Sequence, residues 1–249
     1  MRSYHVLCSL SQEGGLDTLT ISVIIPIYNE EAVLPFLLDQ SRHWPVLEVI
    51  FVDGGSRDQS KNILEGQATT VTTNGPTYHF LLSEKGRGNQ MNQGATFARG
   101  ESLLFLHADS ILPPDYFLDI SNALKNTKNV GGAFQLKISS DSLLLKWIAM
   151  MANLRSSLFR LPYGDQGIFV RRELFQKMGG YLEVPIMEDV DFIRRLGREG
   201  KIVLLPHSIT TSARRWNKNG IIFTSSLNIV LLLLYWVGVS PKRLVRWYH

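Results

Sequence analysis

The chain has 249 residues, of which 45% are hydrophobic. It can therefore bury the core of one globular domain and is not a disordered, collagenous or repeat protein. Its single cysteine, Cys8, excludes an intrachain disulfide framework and a cysteine-based zinc site. The formal net charge of +4 is mild and the basic residues gather late in the chain, which favours phosphate-bearing ligands or an anionic membrane surface and argues against nucleic acid.

The first half of the chain alternates predicted buried strands with predicted helices. It follows a predicted tail over residues 1–18, whose short apolar run is broken by His5 and does not resemble a signal peptide. TISVIIPIYNEE predicts a strand and EEAVLPFLLDQ a helix, and the pattern recurs in EVIFVDGGSRDQSKNILEG, YHFLLSEKGRGNQMNQG and SLLFLHAD. Four such strands predict right-handed crossovers and a mostly parallel sheet that is covered on both faces.

Polar residues follow these predicted strands directly. Ligands of parallel sheets bind beyond the carboxyl ends of the strands, so we expect a site at this rim. The residues concerned are Asn29, Glu30, Asp53, Lys85 to Gln90 and Asp109.

Each of these clusters has a functional and a structural interpretation. Asp53 can accept hydrogen bonds from a base or ribose, but a carboxylate before Gly-Gly can equally cap a turn. Lys85 and Arg87, among glycines before a helix, suit a pyrophosphate, while Arg87 as a solvated surface charge is the alternative. In FLHADSILPP, His107 and Asp109 indicate a metal or phosphate site or, alternatively, a strand end that meets water.

The second half alternates less regularly. VGGAFQLKIS predicts a strand, DSLLLKWIAMMANLRSSLFRL an amphipathic helix, GDQGIFVRRELFQKMGGY a turn, strand and helix, and KIVLLPHSITTS a further strand. MEDVDF predicts a helix start, where Glu188 or Asp189 either stabilises the helix dipole or serves as a general base. YGDQG is either part of the site or a hairpin turn, and SARRW either neutralises a diphosphate or forms a basic rim facing a membrane.

Five motifs, in their order and spacing, strongly resemble family 2 glycosyltransferases of the GT-A fold over about residues 20–216. They are ISVIIPIYNEE, EVIFVDGGSRDQS, GRGNQMNQGATFARGESLLFLHAD, GDQGIFVRRELFQKMGGY and MEDVDF. The resemblance implies an α/β domain over residues 19–216 with a mostly parallel, Rossmann-like central sheet flanked by helices. Its nucleotide-binding half would cover about residues 19–110 and its acceptor half about 111–216.

The resemblance also implies an activity. It is the transfer of a sugar from a nucleotide-diphosphate donor, such as a UDP- or GDP-sugar, to an acceptor hydroxyl, with inversion and with Mn²⁺ or Mg²⁺ on the diphosphate. By motif match Asp53 would contact the nucleoside, Asp109 would be the metal-side carboxylate, and Asp189, beside Glu188, would be the general base. The expected donor side comprises Pro26, Tyr28, Asn29, Glu30, Asp53, Gly54, Lys85, Arg87, Gln90, Asn92 and Asp109. The expected acceptor or diphosphate side comprises Asp165, Gln166, Arg215 and Trp216.

Two positions depart from the family pattern. His107 replaces the first Asp of the Asp-x-Asp element, as in a small bacterial branch with unassigned or lipid and carotenoid-like acceptors. Imidazole can ligate Mn²⁺, whereas Mg²⁺ prefers oxygen ligands. We therefore expect Asp109 and the donor phosphates to hold the metal. His107 would be a weak ligand or would contact a ligand without binding the metal itself. Ser212 stands where the Gln of a Gln-x-x-Arg-Trp element is expected, which argues against processive polymer synthesis.

Residues 217–249 are predicted to form a hydrophobic helical segment with basic flanks. Residues 221–239 carry no charge and as a helix would extend about 28 Å, close to the hydrocarbon thickness of a bilayer. Polar residues crowd the first half, so three interpretations remain: a packing or oligomer helix, an interfacial membrane helix and a membrane span. The basic flanks and nearby tryptophans favour a headgroup layer, which predicts a cytoplasmic protein, peripheral at the inner face of the membrane, with a lipid-linked or small hydrophobic acceptor.

Two other functions fit parts of the sequence. A sugar-phosphate nucleotidylyltransferase would share the nucleotide-binding half, but the first strand ends in PIYNEE and not in a glycine-rich, arginine-containing phosphate loop. A non-catalytic module that binds nucleotide sugars or recruits partners to a membrane is the alternative if the change at His107 has removed the chemistry.

Overall fold

A mixed sheet forms the centre of the molecule. The computed structural model describes residues 19–68 and 75–248, so the predicted tail over residues 1–18 lies outside the described residues. Within these ranges the strands are β1 (Ile21–Ile27), β2 (Glu48–Asp53), β3 (Thr77–Leu82), β4 (Ser102–Phe105), β5 (Asn129–Ser139), β6 (Ile168–Arg171) and β7 (Lys201–Ser212). They lie side by side in the order β3-β2-β1-β4-β6-β5-β7.

Most neighbouring strands are parallel. β1 pairs in parallel with β2 and β4, β2 with β3, and β5 with β7, whereas β6 runs antiparallel to both β4 and β5. The prediction of a mostly parallel sheet is therefore confirmed. Because β6 is reversed, its amino end lies beside the carboxyl end of β4, which brings the turn before β6 to the rim that carries His107 and Asp109.

Helices cover both faces of the sheet. In chain order they are α1 (Leu34–Ser41), α2 (Ser60–Ala68), α3 (Arg87–Phe97), α4 (Tyr116–Lys125), α5 (Leu143–Phe159), α6 (Arg172–Lys177), α7 (Glu188–Glu199), α8 (Arg214–Asn219), α9 (Ile221–Trp236) and α10 (Pro241–Tyr248), with a 3₁₀ turn at Gly164–Gln166. Successive side chains of a strand point to opposite faces. In β1, Ile25 accordingly packs with α1 and α4, while Ile24 packs with α3 and α7.

The C-terminal segment differs from the predicted single helix. α9 and α10 are separate, and Gly238 between them has a φ of 92°, which favours glycine. Leu244 of α10 is buried against Leu231 of α9 and Ile186 before α7, so α10 folds back onto the domain. In the part of the chain that the structure describes, no helix has both the length and the apolar character needed to cross a membrane.

Candidate active site

A cavity of about 460 Å³ lies at the predicted rim, between the ends of β1 and β4, the start of α3, the Gly164 turn and the start of α7. A larger cavity, about 790 Å³, adjoins it across Asp109 and Arg214, but contains none of the α7 carboxylates. The smaller cavity is the candidate active site because it gathers the titratable side chains. It brings together the predicted residues Pro26, Tyr28, Glu30, Arg87, Gln90, His107, Asp109, Asp165, Glu188, Asp189, Arg215 and Trp216.

Two predicted donor residues instead hold together the backbone around the site, which we call the frame. Gln90 is buried, and its side-chain amide donates to the carbonyls of Ile27 and Val52 at 2.8 and 2.7 Å, which ties the ends of β1 and β2 together. Asp53 accepts hydrogen bonds from the backbone N–H and the hydroxyl of Ser56, as a turn cap does. Of these, only Gln90 also lines the pocket.

Asn92 also holds the backbone around the site in place. Its amide pairs with the backbone of Tyr181 in both directions, at 2.9 and 2.8 Å. Gly54 lies against the Gln90 side chain, where a Cβ would approach within 3.0 Å. Neither residue lines the pocket.

The loop after β1 forms the mouth of the pocket. The Lys85 ammonium lies 4.1 Å from the centre of the Tyr28 ring, a cation–π contact. Asn29 has a φ of 55°, and its side-chain oxygen accepts from the N–H of Arg57 at 2.8 Å, so it shapes this loop. The aromatic face of Tyr28 therefore borders the pocket while Lys85 brings a positive charge to its edge.

Arg214 lies between the carboxylates of Glu30 and Asp109 and is close to both. Arg214 Nη2 donates to Glu30 Oε2 at 2.9 Å and lies 3.9 Å from Asp109 Oδ2. Burial raises the pKa of Asp109, and the positive charges of Arg214 and Arg87 act in the opposite direction. The motif match selected Arg215 and not Arg214 as a site residue, and it is the pairing with Glu30, 184 positions away, that brings Arg214 to the rim.

His107 is neutral in this environment. Burial lowers its pKa to about 3, and the nearby positive charge of Arg87 adds to the effect. A Cβ placed on Gly164 would lie 3.3 Å from His107 Nε2 and 3.1 Å from Asp189 Oδ2. The imidazole and the Asp189 carboxylate therefore flank the same turn.

The two carboxylates at the start of α7 have different surroundings. Asp189 Oδ2 accepts from the N–H of Gly164 at 2.7 Å and Oδ1 from the N–H of Val190 at 2.8 Å, so both oxygens are oriented. Glu188 is buried, with Oε1 3.7 Å from Nε of Arg87. Burial raises the pKa of Glu188 to about 7, with Arg87 opposing this and Asp189 adding to it.

The Gly164 turn contributes one carboxylate to the pocket and one amide to the frame. Burial raises the pKa of Asp165 to about 6, against the effect of Arg155, and Asp165 Oδ1 is buried without a hydrogen-bond partner among the described residues. Gln166 is fully buried, donates to the carbonyl of Phe134 at 3.0 Å and accepts from Ser156. Asp165 thus brings an unpaired carboxylate oxygen to the pocket wall, whereas Gln166 secures the turn.

The C-terminal helices close one side of the pocket, which sequence reasoning missed. Asn228 and Leu232 of α9 and Tyr248 of α10 line it. The Tyr248 hydroxyl accepts from Arg215, whose guanidinium lies 4.0 Å from the ring centre, and Tyr248 also interacts with Arg87. No motif marks Tyr248, since its place depends on α10 folding back.

The side chains available to a divalent cation are few. Among the described residues no three His, Cys, Asp or Glu side chains are grouped so that they could hold a metal ion. Asp109 offers carboxylate oxygen and His107 a neutral imidazole. These residues fit a metal that takes its remaining ligands from a diphosphate and water, as Mg²⁺ commonly does.

Comparison with known proteins gives the family. Residues 22–178 match the family described as Glycosyl transferase family 2. An undecaprenyl-phosphate 4-deoxy-4-formamido-L-arabinose transferase of Shewanella sediminis is 35% identical over 107 residues, which are 38% of this chain and 30% of that protein. A PGL/p-HBAD biosynthesis glycosyltransferase of Mycobacterium bovis is 29% identical over 195 residues, 77% of this chain and 75% of that protein.

The fold also has solved counterparts. A mannosyltransferase of Pyrobaculum calidifontis, in complex with GDP-Man and Mn²⁺, superposes with a TM-score of 0.57 at 19% identity, over 83% of this chain and 62% of that one. This likeness confirms the predicted GT-A fold. The chain spans 30 to 40% of the length of the first curated relatives it matches. Because the family match covers more than half of the 249 residues and agrees with the predicted motifs, the chain belongs to glycosyl transferase family 2.

Proposed function

We propose that the pocket transfers a sugar from a nucleotide-diphosphate donor, a UDP- or GDP-sugar, to a hydroxyl of a lipid-linked acceptor with inversion at the anomeric carbon. The observation that carries this proposal is the shared position of an oriented carboxylate and several cations. Asp189, held by two backbone N–H groups, lines the same pocket as Arg87 and Arg215. One pocket thus has groups for a base and for a diphosphate.

Positive charges and an aromatic ring in the pocket support the proposed binding of a nucleotide-diphosphate donor. Arg87 begins α3, where the helix N-terminus and the guanidinium together favour a bound phosphate. Arg215 faces the same pocket and Tyr28 offers an aromatic face at its mouth. The likeness to a mannosyltransferase crystallised with GDP-Man supports a nucleotide-sugar donor.

A divalent cation is proposed beside the diphosphate, held by Asp109 with His107 as a weaker ligand. When bound, the cation supplies positive charge that stabilises the departing diphosphate. His107 can ligate because burial keeps its imidazole neutral. The Mn²⁺ in the mannosyltransferase complex supports this assignment.

Asp189 is the proposed general base. It takes the proton of the acceptor hydroxyl while that oxygen forms a bond to the anomeric carbon and the bond from this carbon to the diphosphate oxygen breaks. Glu188 is less suited to this role because its carboxyl is buried and paired with Arg87. Asp165 lines the same pocket and is proposed to contact the sugar.

The acceptor is proposed to be lipid-linked, at the inner face of the cell membrane. The name of the Shewanella relative includes a polyprenyl phosphate, which supports a lipid carrier. A phosphate acceptor is already ionised near neutral pH and needs no base, whereas a hydroxyl does. The oriented Asp189 carboxylate therefore favours a hydroxyl on the lipid-linked acceptor.

A donor panel tests the proposal. The purified chain with Mn²⁺ is incubated with UDP-glucose, UDP-N-acetylglucosamine, GDP-mannose and related donors, and release of nucleoside diphosphate is measured. We expect slow hydrolysis of one donor, lowered about 100-fold or more by Asp109→Asn, and unchanged by Asp39→Asn, which alters an exposed carboxylate on α1.

Two outcomes would contradict the proposal. Donor binding without turnover under any divalent metal would indicate a binding module. Formation of a nucleotide sugar from a sugar phosphate and a nucleoside triphosphate would indicate a nucleotidylyltransferase.

A further inference from the structure

Helix α5 presents an apolar stripe to the outside. Its inward side buries Leu145, Ala149 and Ser156 against the domain. Its outward side repeats large apolar residues at helical spacing, with Leu143 and Leu158 at the two ends 81% and 66% exposed. A helix on a protein surface that faces only water carries polar residues on this side. The stripe consists of Leu143, Trp147, Met150, Leu154 and Leu158.

Helix α9 has a second outward apolar side. It buries Thr224 and Leu231 inward. Ile148 and Ala152 of α5 pack in one cluster with Ile221 of α9, so the two helices are neighbours. We call the two outward sides together the α5–α9 face. The contribution of α9 consists of Ile222, Ile229, Val230, Leu233 and Trp236.

The charged residues of α5 and of residues 200–249 are all basic, while the exposed Asp141 precedes α5. Residues 200–249 contain no Asp or Glu, and α5 contains none either. The exposed basic residues nearby on these segments are Lys146, Arg160, Lys218, Lys242, Arg243 and Arg246. Exposed aliphatic residues, tryptophans and flanking cations are the features that seat a helix at an anionic headgroup layer.

The face lies close to the candidate active site. Asn228 and Leu232 of α9 line the pocket, while the adjacent Ile229 and Leu233 are exposed on the outward side. Successive residues of a helix lie about 100° apart around its axis, so the exposed side of α9 adjoins the side that lines the pocket.

We propose that the α5–α9 face seats on the surface of an anionic phospholipid bilayer, with α5 forming half of the contact. The pocket then lies beside the membrane surface, within reach of a lipid-linked acceptor. The link to the acceptor rests on the proposed function, whereas the membrane contact itself does not.

Vesicle flotation tests the contact. The full chain is mixed with phosphatidylcholine vesicles that contain either no charged lipid or about 30 mol % phosphatidylglycerol. We expect co-flotation with the anionic vesicles, weakened when salt rises from about 0.1 to about 0.5 M. Leu154→Glu should lower the bound fraction about tenfold, because it places a charge within the apolar stripe.

Leu118→Glu is the matched control. It introduces the same change on α4, at a residue that is 40% exposed compared with 48% for Leu154, and should bind like the unchanged protein. Trp147→Glu repeats the test at a second position on the α5–α9 face. Circular dichroism and donor hydrolysis in vesicle-free buffer show that each variant is folded.

The results that would overturn the membrane contact differ from those that would overturn the proposed function. Absence of binding to anionic vesicles, or binding unchanged in both Leu154→Glu and Trp147→Glu, would overturn the membrane contact. A dimer in analytical ultracentrifugation that Leu154→Glu dissociates would assign the α5–α9 face to a second copy of the chain and overturn it as well. If no donor is hydrolysed while vesicles are still bound, the proposed function fails and the membrane contact stands.

Discussion

Asp165 carries an unpaired carboxylate oxygen in the wall of the pocket. Its Oδ1 is buried and accepts no hydrogen bond within the described residues. Burial raises its pKa to about 6, so the folded protein binds this proton more tightly than the unfolded chain does. Ionisation therefore costs stability: the penalty is absent below about pH 4 and complete above about pH 6. Active sites commonly retain such a penalty where an unpaired group is needed for function.

The corresponding prediction is that Asp165→Asn stabilises the fold in a pH-dependent way. At pH 8 the variant escapes the ionisation penalty, and we expect a gain of about 1 kcal/mol, reduced from the full shift because the residue is partly exposed. This corresponds to a Tm rise of about 2–4 °C, while donor hydrolysis falls. At pH 4 the Tm difference should vanish, because the native carboxyl is then protonated.

Thermal unfolding of Asp165→Asn and of the unchanged protein at pH 8 and pH 4 measures this Tm difference. Asp39→Asn, on the exposed side of α1, should show no such pH-dependent difference. A Tm difference for Asp165→Asn that is the same at pH 8 and pH 4 would contradict the account.

Residue roles were harder to predict than residue positions. The order of strands placed Asp53 and Gln90 at the rim, because Asp53 ends β2 and Gln90 lies in the first turn of the helix that follows β3. Sequence pattern does not encode where a side chain points, so it left open that Asp53 caps its turn and that Gln90 bonds the ends of β1 and β2. Arg214 and Tyr248 reach the site through contacts with residues far away in the chain, which no local pattern reveals.

Among the elements, the junction of α3 with the loop before α7 positions the two halves of the site. Gly88, in the first turn of α3, packs so closely that a Cβ would lie 2.5 Å from the carbonyl oxygen of Leu182 and 3.7 Å from Glu188 Cβ. This approach brings Arg87, the preceding residue, to Glu188. Glycine is needed here for space, since the contact is with backbone that cannot rotate away.

We accordingly expect Gly88→Ala to lower the free energy of unfolding by about 1–3 kcal/mol, as overpacking against backbone does. Donor hydrolysis should fall with it because Arg87 moves relative to Glu188. Urea denaturation of both proteins measures the first effect. Gly66→Ala on α2 is the control, because a Cβ there meets no atom within 4 Å, and it should be neutral or stabilising by up to about 1 kcal/mol. Equal stability of Gly88→Ala and the unchanged protein would show that the junction is looser than described.

The elements themselves were largely predictable from sequence, with two exceptions. Apolar runs and helical spacing predicted the first four strands and α5, and the structure confirms them. The reversal of β6 was not predicted, because a short buried strand carries no signal of its direction. The C-terminal residues were predicted as a hydrophobic helical segment with basic flanks, and the break at Gly238, which lets α10 return to the pocket, was not predicted.

At the scale of the whole molecule, the candidate active site lies at the rim of the sheet and the exposed α5–α9 face lies on the outer surface of the same domain. The crossover topology brings the ends of β1 and β4 together, and the reversed β6 adds the Gly164 turn that holds Asp189. The GT-A fold follows from this arrangement and is confirmed by the solved counterpart. The choice of donor and acceptor depends on loop shape, for which the sequence has no readable code.

The most direct test of the central claim is the rate of donor hydrolysis by Asp189→Asn, compared with donor affinity measured by calorimetry on the same protein. We expect the rate to fall about 100-fold to 10,000-fold, because water also needs a base to attack the anomeric carbon, while the donor Kd stays within about twofold. Asp191→Asn, two residues after Asp189 but paired with Arg195 and outside the pocket lining, should keep its rate. Hydrolysis by Asp189→Asn at the unchanged rate would contradict the assignment of Asp189 as the base.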